Sequence, residues 1–144
     1  MSIFYDVDAF MKAAGHTPDP KRVSLYLDLV REEIGELEEA MAAYHSAESK
    51  QEEQIAKADA LDAICDSIWV LVGLGRVMDL PIDWGWDEVT ITNLKKIDPE
   101  LGSVMRDDNG KILKPAGWRP PDMLKIIQQF ERSVEQLGKH EIQE

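Results

Sequence analysis

Several things are scarce in this 144-residue chain, and each scarcity excludes something. It has one cysteine, Cys65, which rules out an internal disulfide and a cysteine-built zinc cage. It has three histidines, His16, His45 and His140, and the residues three before them are Ala13, Ala42 and Leu137. A di-iron helical bundle needs Glu-x-x-His pairs, so that reading fails. Positive charge is also scarce: 16 Lys+Arg against 28 Asp+Glu leave a net charge of −12. Such a surface suits neither nucleic acid nor an anionic membrane. Long apolar runs are missing. The best, Ile64 to Leu74, contains Asp66 and is too short to span a bilayer. The chain does not open with a charged segment followed by an apolar one, so no signal peptide is expected. The expectation is a cytoplasmic protein of one domain, residues 1–144, large enough to bury about 68–70% of its unfolded surface.

What is abundant is negative charge, and it is segregated. Between Asp28 and Asp66 stand 12 acidic and three basic residues, whereas Asn93 to Arg119 holds six basic and four acidic ones. Helix signals organise the chain around these two stretches. Ser2 to Ala14 is a short amphipathic helix stopped by Gly15, and His16-Thr17-Pro18 is a connector. Asp19-Pro20 starts a long helix running to about Ala47. Its apolar stripe is Val23, Leu27, Val30, Ile34, Leu37, Met41 and Tyr44. A third helix spans about Glu52 to Leu80, with Pro81 ending it. A fourth runs from Pro81 to Ile97. Residues 99–121 form a small hairpin or ordered loop, with Asn109-Gly110 as a type I′ turn signal. A last helix runs from Met123 to about Leu137, followed by a frayed tail. The class is all-α, a bundle of about five helices.

The chemistry lies in two carboxylate stripes. Leu29, Glu33, Glu36 and Ala40 are spaced four, three and four apart, on one face of the second helix and at the edge of its apolar stripe. Glu32 points more outward, and Glu38 and Glu39 read as solvated. Asp59, Asp62, Asp66, Trp69 and Gly73 share one face of the third helix. Aspartate is a poor helix former, so three on one stripe are costly unless something rewards them. Like charges on a partly buried face repel and lose hydration. Divalent cations remove both costs, and hard oxygen ligands select Mg²⁺ or Mn²⁺. Elsewhere the bland reading holds: Cys65 and Trp69 as core, Trp84, Trp86 and Trp118 as packing residues. Gly35 in mid-helix suggests close approach of a neighbouring helix. Gly110-Lys111 is not a phosphate loop of the Walker type.

At this point the residues resemble a known family. Glu32-Glu33-Ile34-Gly35-Glu36 is similar to the EExxE element of the MazG-like all-α nucleoside triphosphate pyrophosphohydrolases. Ala60 to Gly73 resembles that family's Asp-rich helix, Thr92 to Lys96 its SNxxK-type segment, and Asp108 to Asp122 the tail of its bacterial and phage-type members. The family's ExxD element has no strict copy. Asp59-x-x-Asp62 replaces Glu by Asp, or else Asp66 is the family Asp with Ala63 where Glu belongs.

The resemblance implies Mg²⁺-dependent hydrolysis of a (deoxy)nucleoside triphosphate to monophosphate and pyrophosphate, with two or three ions per site and Mn²⁺ as a substitute. It implies metal ligands among Glu33, Glu36, Asp59, Asp62 and Asp66, with Glu32 as general base. It further implies that Asn93 and Lys96 hold phosphates or sugar, that Lys111 and Lys114 close over the triphosphate, and that the bundle is completed as a homodimer or homotetramer. The base stays open. So do two alternatives: a related phosphoribosyl-nucleotide pyrophosphohydrolase, and a non-catalytic acidic helical adaptor.

Overall fold

The structure is a computed structural model that describes residues 2–16 and 18–141, with side chains through residue 138. Thr17 of the connector and the end of the tail lie outside the described residues. Five helices follow in order: α1 (Ile3–Ala13), α2 (Val23–Ser46), α3 (Lys50–Val77), α4 (Ile82–Leu94) and α5 (Met123–Glu141). The chain is about 70% helical, and no strand occurs among the described residues. It divides into two compact units, Met1–Leu80 and Pro81–Glu144. No described helix is long and apolar enough to cross a membrane.

Local chemistry sets the helix ends of the first unit. The Asp19 carboxylate accepts from the Lys21 backbone N–H at 3.0 Å, and Pro20 opens a single 3₁₀ turn that runs into α2. Ser49 Oγ accepts from the Glu52 N–H and caps α3. At the other end of α3, Asp79 takes a left-handed conformation (φ 54°). Leu80 N–H then bonds to Gly75 O and Asp79 N–H to Arg76 O, a Schellman closure that satisfies two orphan carbonyls. Asp8 clasps Arg76 through two hydrogen bonds, of 2.6 and 3.1 Å, and ties α1 to the end of α3.

The link between α2 and α3 is three residues long, so the two helices run antiparallel. Their packing decides the unit. The core joins Val7 and Met11 of α1, Tyr26 of α2, and Val72 and Val77 of α3. The buried face of α3 is made largely of small residues: Ala56, Ala63, Ser67, Val70 and Gly73. At Gly73 the fit is closest, because a Cβ there would stand 2.3 Å from Tyr26 Cε1. Gly35, the expected close-approach residue, has nothing within 4 Å of a built Cβ. The contact belongs to the other helix.

The rotation of α2 also differs from expectation. Tyr26 and Ala40 are its buried residues, while Leu27, Ile34, Met41 and Tyr44 of the expected core stripe are exposed. Small residues on α3 let it approach the neighbouring face of α2, which leaves the larger apolar side chains outside. Cys65 is exposed rather than core. Trp69 is also exposed, with its ring edge-on to Phe10 at 5.6 Å.

In the second unit, α4 and α5 are joined by an ordered loop. Trp84 meets Phe130 edge-on at 5.8 Å, and Glu88 accepts from the Asp122 backbone N–H at 3.3 Å. The loop holds two isolated antiparallel bridges, Ile97 with Val104 and Arg106 with Ile112. Its tip is not a type I′ turn. Gly110 has φ 80°, Asn109 does not enter the positive region, and Gly110 N–H bonds to Asp107 O. The Asp107 carboxylate accepts from the Asn109 and Lys111 N–H groups, so a type I turn with a glycine bulge closes the tip.

Candidate active site

The α2–α3 pair gathers the acidic residues. Glu33 is half-buried, on the face that α2 turns toward α3, and its Oε2 is shut off from solvent with no hydrogen-bond partner. An ionised carboxylate loses hydration there, and this burial is the first cause that raises its pKa above the ordinary carboxylate range. Four like charges add to it, in the order Glu36, Asp66, Glu32 and Asp62. Five carboxylates from two helices therefore act on one place. Ser67 Oγ, on the buried face of α3, is likewise sealed without a partner.

Beside this cluster lies an open groove of about 430 Å³, lined by Glu36, Glu39, Ala40, Ala43, Asp59 and Asp62. Glu36 and Asp62 belong to both groove and cluster. Asp59 lines the groove but is not among the charges that act on Glu33. Glu39, expected to be solvated elsewhere, lines the groove as well. Its three-residue step from Glu36 was the available signal.

Whether these residues fit divalent metal rests on two observations. The donor set is all carboxylate oxygen, the chemistry of Mg²⁺ and Mn²⁺ sites. The sealed Glu33 oxygen lacks any positive partner, which is the deficit that a cation would fill. Among the described residues, no group of three or more His, Cys, Asp or Glu already stands close enough to hold an ion. Asp59, Asp62 and Asp66 are exposed, so their side chains are free of packing that would prevent them from turning toward an ion. The residues fit on those terms.

The expected substrate residues lie in the second unit. Asn93 Oδ1 accepts from Lys96 Nζ at 2.7 Å, across one turn at the end of α4. Lys96 Nζ also stands 5.1 Å from the centroid of the Trp118 ring, and Lys114 Nζ stands 4.7 Å from it. The structure thus gathers Asn93, Lys96 and Lys114 around Trp118. Lys111 sits on the turn at the loop tip, where its backbone N–H bonds to Asp107.

The sequence profile of the phosphoribosyl-ATP pyrophosphohydrolase family matches residues 8–93. The chain belongs to that family. This is a family of pyrophosphohydrolases within the MazG-like all-α superfamily that the motifs suggested. The phosphoribosyl-ATP pyrophosphohydrolase match covers both carboxylate stripes and ends at Asn93, so Lys96, Lys111, Lys114 and Trp118 lie beyond it. No curated protein matches the chain at a significant level.

Proposed function

We propose that the chain is a divalent-cation-dependent pyrophosphohydrolase that opens the α,β-phosphoanhydride of a phosphoribosyl-nucleotide bearing a 5′-triphosphate. The observation that carries this reading is the sealed, partnerless Glu33 oxygen among four other carboxylates, within a chain of this family. Glu33, Glu36, Asp62 and Asp66 would hold Mg²⁺ or Mn²⁺, with Asp59 lining the adjoining groove. Bound ions would offset the charge of the triphosphate and of the departing pyrophosphate.

The chain's own residues then do the following. Glu32, next to the ligands in sequence but exposed and off their stripe, orients the attacking water and accepts its proton on a carboxylate oxygen. The water oxygen forms a bond to phosphorus, the α,β bridging P–O bond breaks, and pyrophosphate leaves. Asn93, Lys96, Lys111 and Lys114 carry the amide and positive groups that a phosphate chain requires. A second reading, a plain (deoxy)nucleoside triphosphate, is favoured by the basic Asn93–Arg119 segment. Nearly all of it lies outside the matched residues, and its tail resembles that of triphosphate-cleaving relatives.

The working form is a second-copy assembly. Exposed Leu27, Ile34 and Met41 on α2, and Leu61, Ile64, Ile68 and Leu71 on α3, are apolar faces that pairing of two α2–α3 hairpins would cover. The decisive experiment incubates the protein and Mg²⁺ with phosphoribosyl-ATP and with each common (d)NTP, reading monophosphate and pyrophosphate. Release from phosphoribosyl-ATP alone supports the first reading, and release from a (d)NTP the second. Glu36→Gln should abolish either while leaving helical circular dichroism intact. Release from none, with no thermal stabilisation by Mg²⁺, returns the chain to an acidic adaptor.

A further inference from the structure

We propose that Trp118 is a positioning residue that holds Lys96 and Lys114 together as one phosphate-binding unit. This rests on the reading above, in which those two lysines meet the substrate's phosphates.

The argument starts at the end of α4. In a continuing helix the Lys96 N–H would bond to Thr92 O, but here it bonds to Asn93 O instead. That leaves the Thr92 carbonyl without its helical partner. The Trp118 indole N–H takes it, donating at 2.7 Å. Thr92 is itself buried, and its hydroxyl donates back to the preceding turn at Glu88 O and Val89 O. The ring is therefore fixed by its edge to a firm point of the helix, and its π-system is left for other partners.

Those partners are two ammonium groups from different parts of the chain. Lys96 follows α4 directly, and Lys114 precedes Trp118 by four residues in the loop. Both stand over the one ring, at 5.1 and 4.7 Å from its centroid. Attraction between a cation and the ring quadrupole acts on both, and Lys96 Nζ also donates to Asn93 Oδ1 at 2.7 Å, a neutral acceptor that leaves its charge in place. Among the described residues, neither lysine forms an ion pair with a carboxylate. In a chain with 28 acidic residues that is an unusual choice of partner. A carboxylate would fix a lysine and cancel its charge. An aromatic ring fixes it and leaves the charge free for an anion. Two uncancelled charges at one ring suit a polyphosphate better than a single phosphate, and a ring so engaged is not free to stack on a base.

The test compares Trp118→Leu, which removes the aromatic system, with Trp118→Phe, which keeps one aromatic ring and loses the pyrrole ring with its N–H. Trp118→Leu should raise KM for the triphosphate substrate about tenfold, the combined effect of two cation–π contacts, with kcat within about twofold. Trp118→Phe should recover most of that loss. Lys114→Met should raise KM too, and combined with Trp118→Leu it should add little. A KM within twofold of wild type in Trp118→Leu, or equal losses in the Leu and Phe variants, overturns the proposal. A second readout is independent of turnover. The Trp118 indole ¹⁵N–H resonance, assigned by its disappearance in Trp118→Phe, should shift on adding metal-free inorganic tripolyphosphate and stay still in Lys96→Met/Lys114→Met. A shift without turnover on any nucleotide keeps the unit and removes the enzymatic reading. Turnover without a shift keeps the enzyme and overturns the unit.

Discussion

Glu33→Gln separates the cost of the carboxylate cluster from its use. In the metal-free protein, the sealed Oε2 of Glu33 has no partner, and Glu36, Asp66, Glu32 and Asp62 repel its charge. Glutamine keeps the shape, removes the charge and places an NH₂ donor where the other four charges are negative. Relieving one unsatisfied buried acceptor is worth about 1–3 kcal/mol. For a chain of this size that corresponds to a rise in Tm of roughly 3–10 °C. The variant should therefore melt higher than wild type at pH 7 in EDTA.

The pH dependence has a definite sign. Glu33 is a carboxyl whose pKa is raised in the folded state, first by burial and then by its acidic neighbours. Its protonated form favours folding. That contribution is fully present below its unfolded pKa and is lost as pH rises through the folded one. Wild type should thus lose stability relative to Glu33→Gln as pH climbs through and above the ordinary carboxylate range, with the two converging in acid. Saturating Mg²⁺ should invert the order, since a ligand at 100 times its Kd adds about 2.7 kcal/mol to the form that binds it. Differential scanning calorimetry of both proteins, with EDTA and with Mg²⁺, checks this. Equal melting in EDTA at all pH values, or equal stabilisation of both by Mg²⁺, refutes the assignment of Glu33 to a cation site.

Two further substitutions test the packing. Gly73→Ala should cost about 1–3 kcal/mol in urea denaturation, because its Cβ would meet the ring of Tyr26, which is only 4% exposed and is hydrogen-bonded through its hydroxyl to His16 and Met11. Gly35→Ala, with nothing within 4 Å, should instead stabilise by roughly 0.5–1 kcal/mol from helix propensity. Replacing Ile34 and Ile64, exposed on α2 and α3, by lysine should reduce the sedimentation-derived mass if those faces pair two copies, while leaving the circular dichroism unchanged.

The helices were legible because their ends carry strong local chemistry. Asp19-Pro20 opened α2 by way of a 3₁₀ turn, Pro81 separated α3 from α4, and Pro121-Asp122 preceded α5. The rotation of α2 was not legible. It carries apolar residues around much of its circumference, Leu25 and Leu27 as well as Tyr26 and Leu29, so periodicity alone does not choose the inner face. The choice was made by α3, whose small residues admit one close approach, and that information lies on the other helix. The turn at Asn109-Gly110 departs from the type I′ signal for a related reason. The Asp107 side chain supplies the bonds that fix the tip, and a dipeptide signal does not count them. Trp118 does pack against the end of α4, through its bond to Thr92 O, but its meeting with Lys96 and Lys114 exists only in three dimensions.

The same small-residue face explains how Glu33 is tolerated between two helices at all. Larger apolar residues at Ala63 and Ser67, both buried on the α3 face, would hold the two helices apart. In their place stand a methyl group and a hydroxyl that has no partner. The result is a seam that holds the helices close while leaving polar atoms unsatisfied at the level of the acidic cluster. A sequence selected only for stability would not keep a lone carboxylate oxygen and a lone hydroxyl there, since each unsatisfied group costs about 1–3 kcal/mol. Departures from local consistency of this kind mark functional positions. Under the proposed function, the part of the acidic excess between Asp28 and Asp66 that crowds Glu33 is a cost borne by the metal-free protein, which bound cations would offset.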